Sequence, residues 1–370
     1  FGSSFQYKPS TYFLSSIVKI QSKKININEL AFESVWRNTN LSQKQFKKLN
    51  NFFWMFSLDL KSSSSSVQKV IKNWMEINQK YIKNSWEFDT TSKRIISWLS
   101  NSKLTYDNGS QEYKDNFNYI IQKQIFHLTN QVKNIKSYDD KLIGIIAIIL
   151  FSLSYKDQNK LLLTGLNYLK KIIKNSLDKF GFPKSRNIKQ IIFYLKYLIL
   201  IREWFKESQE SIPEFIDEYI FLLGQSYNFF WKNINFEPLF NGNNISENEE
   251  FNQYLKRLGY LFKNQNHEHS NYVYLQNKKI NLFMDVGPSP EKNFSYTYQA
   301  GALSFEFASN GKKIFTNSGF YNAKNIKLNE LSRSSAVHNT LVIDDNSSCK
   351  FEKGADGKFK IKNDLKITKR

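Results

Sequence analysis

"GALSFEFASNGKKIFTNSGF", residues 301 to 320, decides how this chain is read. It reads as two short strands joined at "SNGKK", a hairpin-type turn. Upstream, "YVYLQNKKINLFMDVG" (272–287) predicts two more strands around the turn residues "QNKK". Downstream, "HNTLVIDD" (338–345) predicts another, and the sequence stops at "LKITKR" with a strand under way. Residues 257–370 are therefore expected to form an antiparallel β-sheet domain, incomplete at its end.

The preceding sequence has a different period. "NFNYIIQKQIFHLTNQVKNI" (116–135) and "NKLLLTGLNYLKKIIKNSLDKF" (159–180) carry apolar residues at i, i+3 and i+4, the spacing of one helix face. "LSQKQFKKLNNFFWMFSLDL" (41–60) opens with Ser42 and Gln45 at capping-box spacing, and Ser211 with Glu214 repeats the pattern. "IKQIIFYLKYLILIREWFKES" (188–208) is apolar on nearly every side, so both its faces are expected to be buried. Short breaks force consecutive helices antiparallel, and several such hairpins buried on both faces suggest an (α/α) toroid. The predicted organisation is multidomain, α then β: a helical toroid over 1–240, a linker over 241–256 near "FNGNNISENEE", and the sheet, or β-sandwich, domain over 257–370.

Composition bounds the function. With 370 residues, 41% apolar and 16% aromatic, the chain is long enough for more than one packed core. Fifty-three Lys and Arg against 33 Asp and Glu give a formal charge of +20, a field that attracts polyanions. The lysines are spread out, so a Lys-, Asn- and Ile-rich coding bias explains the charge as readily as an anionic partner. No recognisable nucleic-acid motif or basic helix is present, so a nucleic-acid partner is not expected. Cys349 stands alone, which excludes an intramolecular disulfide and a Cys-rich zinc site. "LIGIIAIILF" (142–151) is too short to span a bilayer and reads as a buried helix; no transmembrane segment is expected.

Five stretches in order then carry a resemblance: "SRN" (185–187), "FNG" (240–242), "DVGPSP" (285–290), "ALSFEFASNGKKIFTNSG" (302–319) and "RSSAVHNTLVID" (333–344). In this order and spacing they resemble the heparinase II/III-like family. "W…TSKRIISWL" (86–99) looks like the branch common in alphaproteobacteria. The resemblance implies an (α/α) toroid followed by antiparallel sheets, β-elimination of an anionic, uronate-containing polysaccharide, and a place in the cell envelope or periplasm. Such a lyase removes the C5 proton, neutralises charge on the adjacent carboxylate and protonates the leaving oxygen.

Mapped onto this chain, the resemblance offers Arg186, Asn187 and His338 as catalytic positions and Arg186, Gln299 and Arg333 as substrate-binding ones. The family's "HxHxD" cluster falls on "TYQAG" (297–301), so Thr297, Gln299 and Gly301 stand where two His and an Asp are often found. The toroid Asn–His motif falls near "SYDDKL" (137–142), which has neither, and Tyr194 lies too far past Ser185 to match the catalytic Tyr. The family's structural zinc would map to Gln299, Asn317 and His338. Two amides and an imidazole make a poor zinc site, so a hydrogen-bond cluster without metal or cofactor is expected there. A non-catalytic acidic-glycan-binding or envelope-assembly protein on the same scaffold is the alternative to a lyase.

Other residues carry weaker readings. Arg333 either faces the cleft, where its guanidinium fork suits a carboxylate or sulfate, or braces the fold. Asp139 and Asp140 could act as acid or base but are expected to cap a helix start, and His267 and His269, at strand-face i, i+2 spacing, could ligate metal but are expected in a solvent-exposed turn. Trp36, Trp54, Trp74, Trp86 and Trp98 could line a sugar-stacking groove, but their helical settings make core packing the expectation for most of them.

Overall fold

The computed structural model describes residues 5–15, 36, 40–58, 63–231, 237–244, 249–321, 326–354 and 357–365. The expected linker and the closing "LKITKR" lie partly outside these residues. A helical N-terminal region is followed by an antiparallel sheet region. The chain divides into two compact units, Phe1–Ile173 with Ile199–Pro213 and Lys174–Leu198 with Glu214–Arg370.

The first unit is helical. Its helices include α1 (Gln43–Asn50), α2 (Ser64–Asn78), α3 (Phe88–Ser100), α4 (Gln111–Gln131) and α5 (Tyr138–Ser154), and most of α6 (Asn159–Ser176). The capping box at α1 forms: Ser42 Oγ accepts the Gln45 N–H at 3.3 Å and Gln45 Oε1 accepts the Ser42 N–H at 3.0 Å. Helix α3 is buried on almost every side and packs on α4 and α5. Arg94 sits at its centre with no accessible surface. Its Nε donates to Gln124 Oε1 (2.8 Å) and its Nη1 to the carbonyls of Asn50 and Ser85 (both 2.9 Å), while the guanidinium lies 4.0 Å from the Trp74 ring centre. Trp36, Trp54, Trp74, Trp86 and Trp98, expected in the core for the most part, are all buried. Residues 142–154 of α5 are buried as well, which is why the helix is apolar all round. Among the described residues no helix is long and apolar enough to cross a membrane. Ser137 caps α5, and Asp139 and Asp140 fall in its first turn, where the helix dipole favours negative charge.

The second unit joins helices to strands. It takes in the start of α7 (Lys189–Glu207), then α8 (Glu214–Trp231) and α9 (Glu249–Arg257). Helix α8 begins at Glu214 itself, so Ser211 lies three residues before the helix and not at its N-cap; Pro213 holds Ile212 away from helical geometry. Helix α9 occupies much of the stretch expected as linker, burying Phe251, Tyr254 and Leu255 at helical spacing.

Strands β1 (Glu268–His269), β2 (Tyr272–Gln276), β3 (Ile280–Asp285), β4 (Phe305–Ser309) and β5 (Lys312–Phe315) form one antiparallel sheet in sequence order. β4 and β5 turn through Asn310 and Gly311, both at positive φ, as the type I′ geometry of a two-residue hairpin requires. β6 (Cys349–Lys353) and β7 (Phe359–Asp364) form a second hairpin. The strand expected over 338–345 is absent. There the backbone N–H of Asn339 bonds the Asn317 side chain at 2.9 Å, and those of His338 and Thr340 bond carbonyls within their own turn, so no ladder is left to form.

One face of the large sheet is buried. Tyr272, Tyr274 and Phe283 pack there against Phe229 and Phe230 of α8, with ring centres 5.0 to 6.4 Å apart. Two acids share that face: Asp285 lies opposite Tyr272, and Glu306 lies opposite Phe283. A buried carboxylate requires partners, and these two fasten loops to the sheet.

Candidate functional site

Glu306 of β4 gathers four donors. Its Oε1 accepts from Thr316 Oγ1 (2.8 Å) and the Asn317 N–H (2.9 Å), and its Oε2 from the Leu239 N–H (3.0 Å) and Lys313 Nζ (3.2 Å). Asp285 gathers another set. Arg186 Nη2 donates to Oδ1 at 2.5 Å, as does the Gly287 N–H at 3.0 Å, and Asn241 Nδ2 donates to Oδ2 at 2.8 Å. Together these bonds bring "SRN", "FNG", "DVG" and "LSFEF" into one place, although they are far apart in sequence.

Arg186 therefore faces inward. It is 7% exposed, its backbone is left-handed (φ 59°), and Nη1 reaches the Ser270 carbonyl at 3.3 Å. Its guanidinium lies 4.5 Å from the Tyr272 ring centre. Gly287 makes room for it, since a Cβ there would come within 2.5 Å of Nη1. Burial disfavours the charge, but Asp285 and the neighbouring phenols outweigh it and move the pKa up. An Arg186 open to a ligand, as expected from sequence, is not what the structure has. Arg333 is also buried, and it braces: Nη2 donates to the Tyr296 carbonyl (2.7 Å), Nη1 to that of Tyr298 (3.1 Å) and Nε to Asn329 Oδ1 (3.1 Å). Phe320, Phe351 and Phe359 surround its guanidinium at 5.1, 5.5 and 5.3 Å. Burial lowers its pKa to about 10.

Beside this brace lie Asn187, itself buried, and the half-buried Gln190, Tyr296 and Thr297. Asn187 Nδ2 donates to Thr297 Oγ1 at 3.3 Å, and Gln190 Nε2 to the Tyr296 hydroxyl at 3.4 Å. Asn187 Oδ1 accepts the Lys189 N–H at 3.0 Å, which starts α7. Lys189 Nζ bonds Asn244 Oδ1 at 2.8 Å, and Lys358, from the β6–β7 hairpin, places its Nζ 4.9 Å from the Tyr296 ring centre. Gln190, Tyr296 and Thr297 are half-buried, with Lys189 and Lys358 exposed around them.

Gln299, Asn317 and His338 form the third layer. Gln299 is buried: Oε1 accepts the Gly242 N–H at 3.2 Å, while Nε2 donates to the carbonyls of Ser332 (2.6 Å) and Gly319 (3.0 Å). His338 Nε2 lies 3.2 Å from the same Ser332 carbonyl and 3.5 Å from Gln299 Nε2. A carbonyl accepts only, so Nε2 is the protonated nitrogen of the neutral ring. Burial lowers the His338 pKa to about 4, against a smaller upward pull from Ser332.

The sheet region and this cluster fall within residues 263–370, which match the family described as Heparinase II/III-like, C-terminal. Residues 263–370 belong to the heparinase II/III-like family. Over nearly the whole chain, the fold is similar to that of a heparan sulfate lyase HepC mutant from Pedobacter heparinus, with a TM-score of 0.67 at 14% identity, covering 94% of this chain and 66% of that one. A heparinase III is similar with a TM-score of 0.65 at 17% identity, covering 90% of this chain and 60% of that one. The heparinase III BT4657 gene product gives 0.66 at 13% identity, covering 88% and 59%. At such identities the likeness is one of fold. The chain spans 59 to 66% of the lengths of these three proteins. No curated protein matches its sequence.

The heparinase-like zinc does not fit this donor set. Gln299 presents its amide N–H groups to carbonyls, and His338 presents a protonated nitrogen toward the same point. Asn317 Oδ1 is taken by the Asn339 N–H, and its Nδ2 is a buried donor without a partner among the described residues. No group of three His, Cys, Asp or Glu among the described residues could hold a metal. The histidine pair reads differently from expectation: His267 is exposed, but His269 is buried, with Nε2 2.7 Å from Ser226 Oγ. Sequence reading missed Tyr296, Gln190 and Lys358, which no local motif marks. It also missed the roles of Asp285 and Glu306, although both stand in quoted motifs. Their signal was an acid in the register of a buried strand face.

Proposed function

We propose that this heparinase II/III-like chain binds an anionic, uronate-containing polysaccharide at the seat of Asn187, Gln190, Tyr296 and Thr297, without proton transfer by His338. The observation that carries this reading is the setting of His338, whose Nε2–H points to the Ser332 carbonyl beside Gln299. With a pKa near 4 such a ring is neutral at pH 7 and presents no lone pair on that nitrogen to a C5 proton. Amide and hydroxyl groups suit a sugar, the exposed Lys189 and Lys358 suit its carboxylates, and the charge of +20 raises the local concentration of an acidic chain. The role is that of an acidic-glycan-binding or envelope-assembly protein on a lyase scaffold, placed in the cell envelope or periplasm where such glycans occur.

One observation favours catalysis as a second reading: the Tyr296 hydroxyl stands in the same seat, against Gln190. As phenolate it would take the C5 proton; C4=C5 would form as the C4–O4 bond breaks, and the phenol would return the proton to O4. Calorimetric titration with heparan sulfate, polygalacturonate and alginate, alongside absorbance of the unsaturated uronide, separates the two. Binding without absorbance is expected. Product formation that Tyr296→Phe abolishes would replace the first reading by the second, and no binding to any of the three would refute both.

A further inference from the structure

A separate cleft of about 540 Å³ opens in the same unit, between the turn at Asp178–Phe182, helix α8 and the β1–β2 hairpin. Its volume falls within the ~300–1,000 Å³ of small-molecule sites. Its lining differs from that of the lysine-rimmed seat: the acids Asp178 and Glu268 line it together with the amides of Gln225, Asn266 and Asn271, and one lysine, Lys179, stands over the rim ring of Phe180.

The cleft has a built wall. Asp178 Oδ1 accepts the N–H groups of Phe180 (2.8 Å) and Phe182 (2.9 Å), closing the turn, while Oδ2 has the Ser270 hydroxyl at 3.5 Å. Gly181, at φ 72°, presses the turn onto α8, where a Cβ would lie 2.6 Å from Leu222 Cβ. This geometry holds Phe180 at the rim, 47% exposed, with its ring centre 6.2 Å from that of His269. Opposite, Ser270 and Asn271 turn the β1–β2 hairpin, both at positive φ (48° and 61°), and the Ser270 carbonyl is held by Arg186. Asparagine adopts this conformation readily, whereas for Ser270 it is costly and is held by the contacts of the turn.

We infer that this cleft binds a pyranose bearing no carboxylate or sulfate, as a saccharide subsite apart from the acidic-glycan seat. The exposed Phe180 ring has the Lys179 Nζ 5.0 Å from its centre, which covers one face and leaves the other as an apolar platform for the C–H face of a sugar. The carboxylates of Asp178 and Glu268 accept hydroxyl protons, and the amides of Gln225 and Asn266 both donate and accept. Carboxylates at the rim repel an acidic sugar.

Ligand-observed NMR and calorimetry with cellotetraose, tetraacetylchitotetraose and tetragalacturonate test this on the full chain. At least one of the two neutral tetrasaccharides is expected to bind, with Phe180→Ala and Gln225→Ala each weakening it about tenfold or more. Tetragalacturonate affinity should be unchanged by either substitution. Circular dichroism of the variants checks their folding, and two separate positions guard against one failing to fold. The inference is overturned if neither neutral oligosaccharide binds, if both variants bind it as the parent does, or if the variants lose tetragalacturonate instead. Failure of tetragalacturonate to bind the parent chain would count against the acidic-glycan seat and leave this cleft standing.

Discussion

Arg186 and Asp285, ninety-nine residues apart, meet as a buried ion pair at 2.5 Å with side chains 8% and 2% exposed. The pair joins the turn before α7 to the end of β3, and through Asn241 and the Ser270 carbonyl it fixes two further turns. It is why residues from four segments hold one geometry around Asn187 and Thr297.

Removing either partner should be severe. Arg186→Ala and Asp285→Ala each leave a buried, uncompensated charge, which typically costs about 3–5 kcal/mol. The double variant should lose clearly less than the sum of the two, because the partners share one interaction. Urea unfolding of the four proteins measures this. Single losses under about 1 kcal/mol, or strict additivity, would show that the pair does not brace the fold.

Glu306→Gln tests the second anchor. The carboxylate faces four donors, and an amide would turn one N–H₂ toward two of them. The expected loss is about 2–3 kcal/mol, the usual cost of unsatisfied buried donors near a charge. Thermal melting at neutral pH reads it, and a melting curve superimposable on the parent's would contradict the anchoring role.

The order of helices and strands was legible because the apolar period changes from helical to strand-like near residue 257. Two local readings failed for identifiable reasons. Leu341, Val342 and Ile343 look like strand residues, but they are 58, 44 and 52% exposed, so the pattern reflects no buried face. Phe251, Tyr254 and Leu255 lie at helical spacing amid Asn and Glu, whose abundance read as a linker. The stretches that build the site were legible by their order. The direction of Arg186 and Arg333 was not, because their partners lie in other segments and only tertiary register selects them.

Zinc added to the parent protein should neither remain after dialysis nor raise its melting temperature. Gln299→His together with Asn317→Asp would place two zinc-type ligands beside His338. Gln299 Nε2 and His338 Nε2 are already 3.5 Å apart, near the roughly 3.3 Å between two tetrahedral ligands at ~2.0–2.1 Å from zinc. The double variant should then retain one zinc per chain by elemental analysis and melt higher with zinc than with chelator. A parent chain that holds stoichiometric zinc and loses stability on chelation would refute the hydrogen-bonded description of this cluster.

His338 should make the fold sensitive to acid. Its folded pKa of about 4 lies below the ordinary imidazole value of 6.5, so the unfolded chain takes up the proton first. The contribution of the neutral ring is fully present above pH 6.5, declines as pH falls from 6.5 toward 4, and is lost below that. A separation of about 2.5 pH units corresponds to about 3 kcal/mol. Urea midpoints of the parent at pH 7 and pH 4.5 should differ more than those of His338→Gln, which has no proton to gain in this window. The variant should be less stable than the parent at pH 7, where the buried imidazole and its bond to the Ser332 carbonyl are lost and only Gln299 still donates to that carbonyl, and the gap should narrow at pH 4.5. Parallel declines in both proteins would mean that His338 is not the residue held neutral in the fold.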